Sequence, residues 1–183
     1  MKIYYNLLIV GGRVADVERF ADAAEERRAP LVLEALNLVP KHVVKMNSGL
    51  KWKAETWGTA TYDELAAVTY GLPNGMRYRV NTEGNPPRGW VERVSAENPS
   101  LTFALHFLEE SSHHSGSLVC TAGSVVASME SSNPAMALSH SSQYFDEELL
   151  EDEEEDGEED DEEMWEDDDY PDDLGDEVRE GAE

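Results

Sequence analysis

The sequence predicts an α+β sandwich, a sheet with helices on one face, followed by an acidic segment that takes no part in it. Three observations lead there. The apolar residues switch between the two-residue repeat of strands and the 3.6-residue repeat of helices through most of the chain. The 183 residues carry a net charge of −26. That charge is segregated: residues 1–145 hold 13 Lys and Arg against 15 Asp and Glu, a net of −2, whereas residues 146–183 hold one Arg and 25 acids, a net of −24.

The elements follow in order. Residues 3–10 form an apolar run of the buried-strand type, and "NLLIVGGRVADVERFADAA" continues it through two glycines into an amphipathic helix. A strand, two glycines and a helix invite a dinucleotide-site reading. That fingerprint requires glycines at two further positions, which here are Arg13 and Asp16, and an acid there opposes a phosphate. The glycines are therefore read as a plain turn. Val14, Val17, Phe20, Ala21 and Ala24 share one helical stripe over residues 14–28, which Pro30 closes. "LVLEALNLVP", residues 31–40, reads as a second strand.

Residues 41–75 read as an irregular insert with Trp52 and Trp57, a short helix at 62–69 and a turn at Leu72–Gly75. Met76, Tyr78 and Val80 then alternate with Arg77, Arg79 and Asn81, a half-exposed strand. Residues 85–99 open on prolines suited to a first helical turn and place Trp90, Val91 and Val94 on one face. Leu101, Phe103, Leu105 and Phe107 alternate as a strand, and Leu118–Val126 reads as an extra edge strand. The order is that of a ferredoxin-like βαββαβ sandwich with an irregular insert, occupying residues 1–126. Eleven of the 32 residues from 111 to 142 are serine, so 127–145 reads as a linker. The tail, 146–183, is expected to be disordered, because like charges repel and little apolar surface offsets the chain entropy.

Several of these segments together resemble the YubB-type ferredoxin-like domain family of plasmids and bacteriophages. They are an early Asn6, "LVLEALNLVP", "ETWGTATYDE", "PPRGWVERVSAENPSLTFALHFLEE" and the later Gly116, spanning about residues 4–123. The resemblance implies the fold and an origin on a mobile element, and it implies no reaction.

The chemistry-bearing residues point to binding rather than catalysis. The single cysteine, Cys120, excludes an intrachain disulfide and reads as buried filler. A metal site from His106, Glu109 and His113 lacks a Cys pair or a His-x-x-x-His helix, and no metal or other cofactor is expected. The serines cluster where nothing holds them, so no catalytic residue is assigned; Glu109 and Glu110 beside the Trp-Gly-Thr segment are what a small enzyme would use. Residues 41–93 carry a net of +3, and Lys51, Lys53, Trp57, Arg77, Arg79 and Arg88 form a candidate nucleic-acid face. In the tail, Met164, Trp165, Tyr170 and Leu174 interrupt acids that include Asp167, Asp168 and Asp169. Spaced apolar residues in a polyanion suit docking on a basic partner by imitation of nucleic-acid charge.

The expectation is thus a non-enzymatic accessory protein of a phage or plasmid, in the cytoplasm of a bacterial host. It binds a basic host nucleic-acid-binding or defence protein, with no membrane contact. The alternatives are a single-stranded nucleic-acid module inhibited by its own tail, and a small enzyme.

Overall fold

The computed structural model describes residues 2–25, 29–46, 48–62, 67–72 and 74–145. It contains a mixed α+β body built on a six-stranded antiparallel sheet. The strands are β1 (Ile3–Gly11), β2 (Ala67–Leu72), β3 (Gly75–Glu83), β4 (Thr102–Glu109), β5 (His114–Thr121) and β6 (Ser124–Ser131). The helices are α1 (Val14–Ala24), α2 (Leu33–Leu36), α3 (Lys41–Lys45), α4 (Gly49–Trp57), α5 (Arg88–Glu97) and α6 (Pro134–Tyr144). Across the sheet the order is β2-β3-β1-β4-β5-β6, so the first strand of the chain lies inside the sheet.

Alternation along each strand sorts the sheet into two faces. Tyr4, Leu8 and Val10 of β1, Tyr78 and Val80 of β3, Phe103, Leu105 and Phe107 of β4, and Leu118 and Cys120 of β5 are buried in one core. α1 and α5 supply Val17, Phe20, Ala24, Trp90, Val91 and Val94 to that core. Phe20 packs edge-on against Tyr78 and Phe103, with ring centroids 6.1 and 5.4 Å away. The segment 31–40 and the insert join the same core through Leu31, Leu33 and Trp57. Trp57 makes an edge-to-face pair with Trp52 at 5.8 Å, and the Trp90 indole N–H donates to the Leu33 carbonyl at 2.9 Å. Gly58 ends α4 at φ 93°, the left-handed cap that glycine adopts without strain.

Four sequence expectations change. "LVLEALNLVP" is not a strand: its centre is α2, and α3 and α4 fill the insert. Leu31, Leu33 and Trp57 join the core among helices, with α2 against α1 and α4 against α5, rather than beside a neighbouring strand. The expected helix at 62–69 gives way to β2 from Ala67, while residues 63–66 lie outside the described set. The stretch 127–145, read as a serine-rich linker, carries most of β6 and all of α6. The edge strand expected at 118–126 is interrupted by a two-residue turn, Ala122 at φ 50° and Gly123 at φ 77°, and becomes the β5–β6 hairpin. Asn133 caps α6 by accepting from the Ala135 N–H at 2.9 Å, and Pro134 occupies the first turn. The acidic tail, 146–183, lies outside the described residues.

Candidate functional site

Polar side chains gather at two places, one on each face of the sheet. On the helix-covered face, Tyr4, Glu109 and His114 stand in a row across β1, β4 and β5 beside the start of α5. The Tyr4 hydroxyl and His114 Nδ1 are 2.7 Å apart, and His114 Nε2 lies 2.6 Å from Glu130 Oε1. The other Glu130 oxygen takes Arg88 at 2.8 Å, and the Arg88 guanidinium lies over the Phe107 ring at 4.6 Å. Burial, then the Glu109 and Glu130 charges, raise the Tyr4 hydroxyl above its ordinary value. Glu109 is 2% exposed and accepts from the hydroxyls and backbone N–H groups of Ser111 and Ser112. Those bonds, the Ser111 hydroxyl first, hold its carboxyl down at about 2. The network is closed on itself: each of these polar groups is satisfied by another.

The second place is the opposite face, where α6 roofs only one part of the sheet. His106 points there because its neighbours Leu105 and Phe107 point into the core. Tyr144 stacks on His106 at a centroid distance of 3.7 Å and 17° between planes, and His140 lies 5.7 Å from it. Among the described residues, His106 Nδ1 and His140 Nε2 are buried without a hydrogen-bond partner. Burial first, and the nearby His140 second, push His106 down to about 4, and burial likewise lowers His140. Beyond α6 the side chains of this face range from buried to exposed. Leu7 is buried there, whereas Ile9, Arg77, Arg79 and Asn81 are half-buried and Tyr5 is 40% exposed.

The histidine pair makes this roof acid-sensitive. Folded His106 titrates below its ordinary 6.5, so between 6.5 and about 4 the unfolded chain binds more protons than the folded one. Stability from this group is complete above 6.5 and drains away as pH falls through that window. His106→Phe keeps the stack on Tyr144 and removes the titration. Thermal unfolding of both chains at pH 7 and pH 4.5 is expected to show the variant resisting acid better, by about 1–2 kcal/mol after allowing for solvent screening. Parallel losses in the two chains would refute this origin of the acid sensitivity.

The candidate nucleic-acid residues do not form one face. Trp57 is fully buried in the core. Lys53 pairs with Glu34 and lies 5.3 Å from the Trp57 ring, and Lys51 pairs with Glu55 along α4. Arg88 belongs to the closed network on the helix side. Only Arg77 and Arg79 share a surface, the sheet face opposite the core. The residues that sequence reasoning missed, Tyr5, His114, Glu130, His140 and Tyr144, become visible only with strand register and α6 in place.

The remaining sequence candidates also find their places. His106 and Glu109 point to opposite faces, so they cannot share a metal with His113; among the described residues no three His, Cys, Asp or Glu are placed to hold a metal ion. Cys120 is buried, and burial, then the Glu92 charge, raise its thiol to about 11. At the Gly11–Gly12 turn, Asp16 is bridged by Arg13 and Arg19 beside a cleft of about 250 Å³. A Cβ on Gly12 would lie 2.6 Å from the Leu101 side chain, so close packing accounts for that glycine. Met164, Trp165, Asp167, Asp168, Asp169, Tyr170 and Leu174 lie outside the described residues. Among the described residues no helix is long and apolar enough to cross a membrane. Comparison with family models, curated proteins and solved structures returns no significant match for this chain.

Proposed function

We propose that this chain is a non-enzymatic accessory protein of a phage or plasmid, acting in the bacterial cytoplasm. Its ferredoxin-like body carries an acidic segment that captures a basic partner, a nucleic-acid-binding or defence protein of the host. The observation that carries this reading is the charge segregation, a net of −2 over residues 1–145 against −24 over 146–183. Two further observations support it. The strand order β2-β3-β1-β4 is what a βαββαβ core requires, with β5 and β6 added at one edge. It also fits the resemblance to the YubB-type family. The Tyr4–His114–Glu130–Arg88 network, saturated by its own members, suits a structural role better than attack on a substrate.

Capture by charge depends on ionic strength. Immobilised full-length chain is expected to retain basic host proteins at about 0.05 M salt and to lose at least about tenfold of them by 0.2 M. Trp165→Ala with Tyr170→Ala is expected to weaken capture at fixed charge. Recovery that ignores both salt and these substitutions refutes the reading.

A second reading has one observation behind it. Tyr5, Arg77 and Arg79 lie on the sheet face opposite the core, where a ferredoxin-like body can stack and hold a single strand. The tail would then inhibit that binding.

A further inference from the structure

We propose that β6 is the docking edge for a second copy of this chain. Two β6 strands pair antiparallel about a two-fold axis, and the two sheets run on as one. This pairing goes beyond the capture of a basic partner and uses a different part of the molecule.

β6 ends the sheet, with β5 on one side and no strand on the other among the described residues. A free edge presents a row of unpaired N–H and C=O groups, which proteins commonly guard with lysine, proline, a bulge or a very short strand. β6 is eight residues long, SVVASMES, without Lys or Pro, and Ser124 to Glu130 are all exposed. Val125, Val126 and Met129 are 46%, 62% and 46% exposed, so apolar surface lines the edge as well. The one guard is at its start, where Val126 is the extra residue of a bulge opposite Val119 and Cys120. From Ala127 to Ser131 the register is regular.

Three observations name a second copy as the occupant. The first is charge. Glu130 is the single charged residue of β6, and Arg88 and His114 hold it at 2.8 and 2.6 Å. An axis through Ser128 keeps the two Glu130 residues about 13 Å apart along the strands. The second is the match of side chains. Residues directly opposed in an antiparallel pair share a face. The same axis sets Ala127 of each copy against Met129 of the other, and both point away from the core, as do their register partners Val119 and Ser117.

The third is where the chain leaves the body. α6 follows β6, packs on β5 and β4, and ends with Tyr144 stacked on His106 of β4. β4 lies two strands in from β6, about 10 Å at the usual spacing. In the pair, the two points of departure are therefore about 25 Å apart across the sheet, roughly three screening lengths at 0.15 M salt. The acidic segments repel strongly only when salt is low. Because the two-fold uses the same edge of both copies, association stops at the dimer.

The test uses the full chain. An edge of this size makes a weak dimer, so sedimentation is followed from about 1 to 500 μM. The mass is expected to rise from 20.4 kDa towards twice that value. Raising salt from about 0.02 M to 0.5 M is expected to tighten the dimer by about tenfold, as repulsion between the acidic segments is screened. Amide exchange within residues 124–131 is expected to slow as concentration rises, a readout that needs no variant. Ala127→Lys with Met129→Lys, and separately Ala127→Glu with Met129→Glu, set like charges against each other across the axis. Both pairs are at exposed positions, and both chains are expected to keep the parent's circular dichroism and stay at 20.4 kDa. A parent chain that stays monomeric throughout, or association that salt weakens, overturns the proposal. So does a dimer that persists in both variants, which would point to the exposed Leu38, Val44, Met46 and Leu50 instead. Capture of basic proteins weakens with salt whereas this pairing strengthens, so the two readings fail independently.

Discussion

Trp90→Ala is expected to leave the body largely unfolded. Trp90 is fully buried where α5, α2 and the sheet meet, and its indole N–H is the donor to the Leu33 carbonyl at 2.9 Å. Truncating a buried tryptophan costs roughly 3–5 kcal/mol through lost transfer energy and the cavity left behind. The orphaned carbonyl adds about 1–3 kcal/mol. A domain of this size has only about 5–15 kcal/mol in total, so the loss consumes most of it. Trp90→Phe returns much of the packing without the hydrogen bond and is expected to fall between the two. Urea unfolding followed by circular dichroism ranks the three chains. An alanine variant with the parent's midpoint would mean that the insert does not depend on α5 for its place.

Gly89→Ala is expected to destabilise even though alanine is the better helix former. Helix propensity favours the substitution by about 1 kcal/mol. Against it stands the crossing of α4 and α5. A Cβ at position 89 would lie 2.3 Å from the Thr56 carbonyl oxygen, 3.2 Å from its carbon and 3.4 Å from the Trp57 carbonyl carbon. These are backbone atoms, which cannot rotate aside as a side chain would. Relief requires moving α4, and with it the buried Trp57. Overpacking of this kind costs about 1–3 kcal/mol in an ordinary core, and a rigid neighbour puts the cost at the upper end, so the contact outweighs the propensity. The expected result is a lower melting temperature and a change in near-ultraviolet dichroism as Trp57 and Trp52 shift. A higher melting temperature would contradict the close crossing.

The sequence revealed the parts of this fold with a strong apolar signal. β3, α1 and α5 set apolar residues against polar ones at a single period, β1 reads as an apolar run and β4 by its alternating Leu101, Phe103, Leu105 and Phe107, and each is read correctly in type. The misread parts break that rule. α2 is a single turn whose apolar residues are inserted among other helices, so Leu31 and Leu33 look like strand positions. β6 is a sheet edge exposed along nearly its whole length, and Ser124 and Ser128 face solvent as easily from a strand as from a linker. α6 buries little beyond Ala137 and His140, so its apolar stripe is too thin to read. The candidate site was legible to the extent of Arg77 and Arg79, whose alternation with Tyr78 and Val80 put them opposite the core. Arg88 and Lys53 were misplaced because pairing with Glu130 and Glu34 depends on tertiary neighbours. The His106–Tyr144 stack joins residues that no local pattern links.

The interior position of β1 bears on how the protein is made. Asn6 of that strand bonds the Val80 carbonyl, 74 positions further along, and its partner on the other side, Phe107, is synthesised later still. This strand therefore has no strand partner until β3 has been translated. Such distant pairing slows folding, because the loop must close before any contact rewards it. During that wait an apolar strand with both edges unsatisfied is open to strangers. Nascent chains halted before β4 should accordingly be the ones that chaperones hold, and release should coincide with the emergence of Phe107.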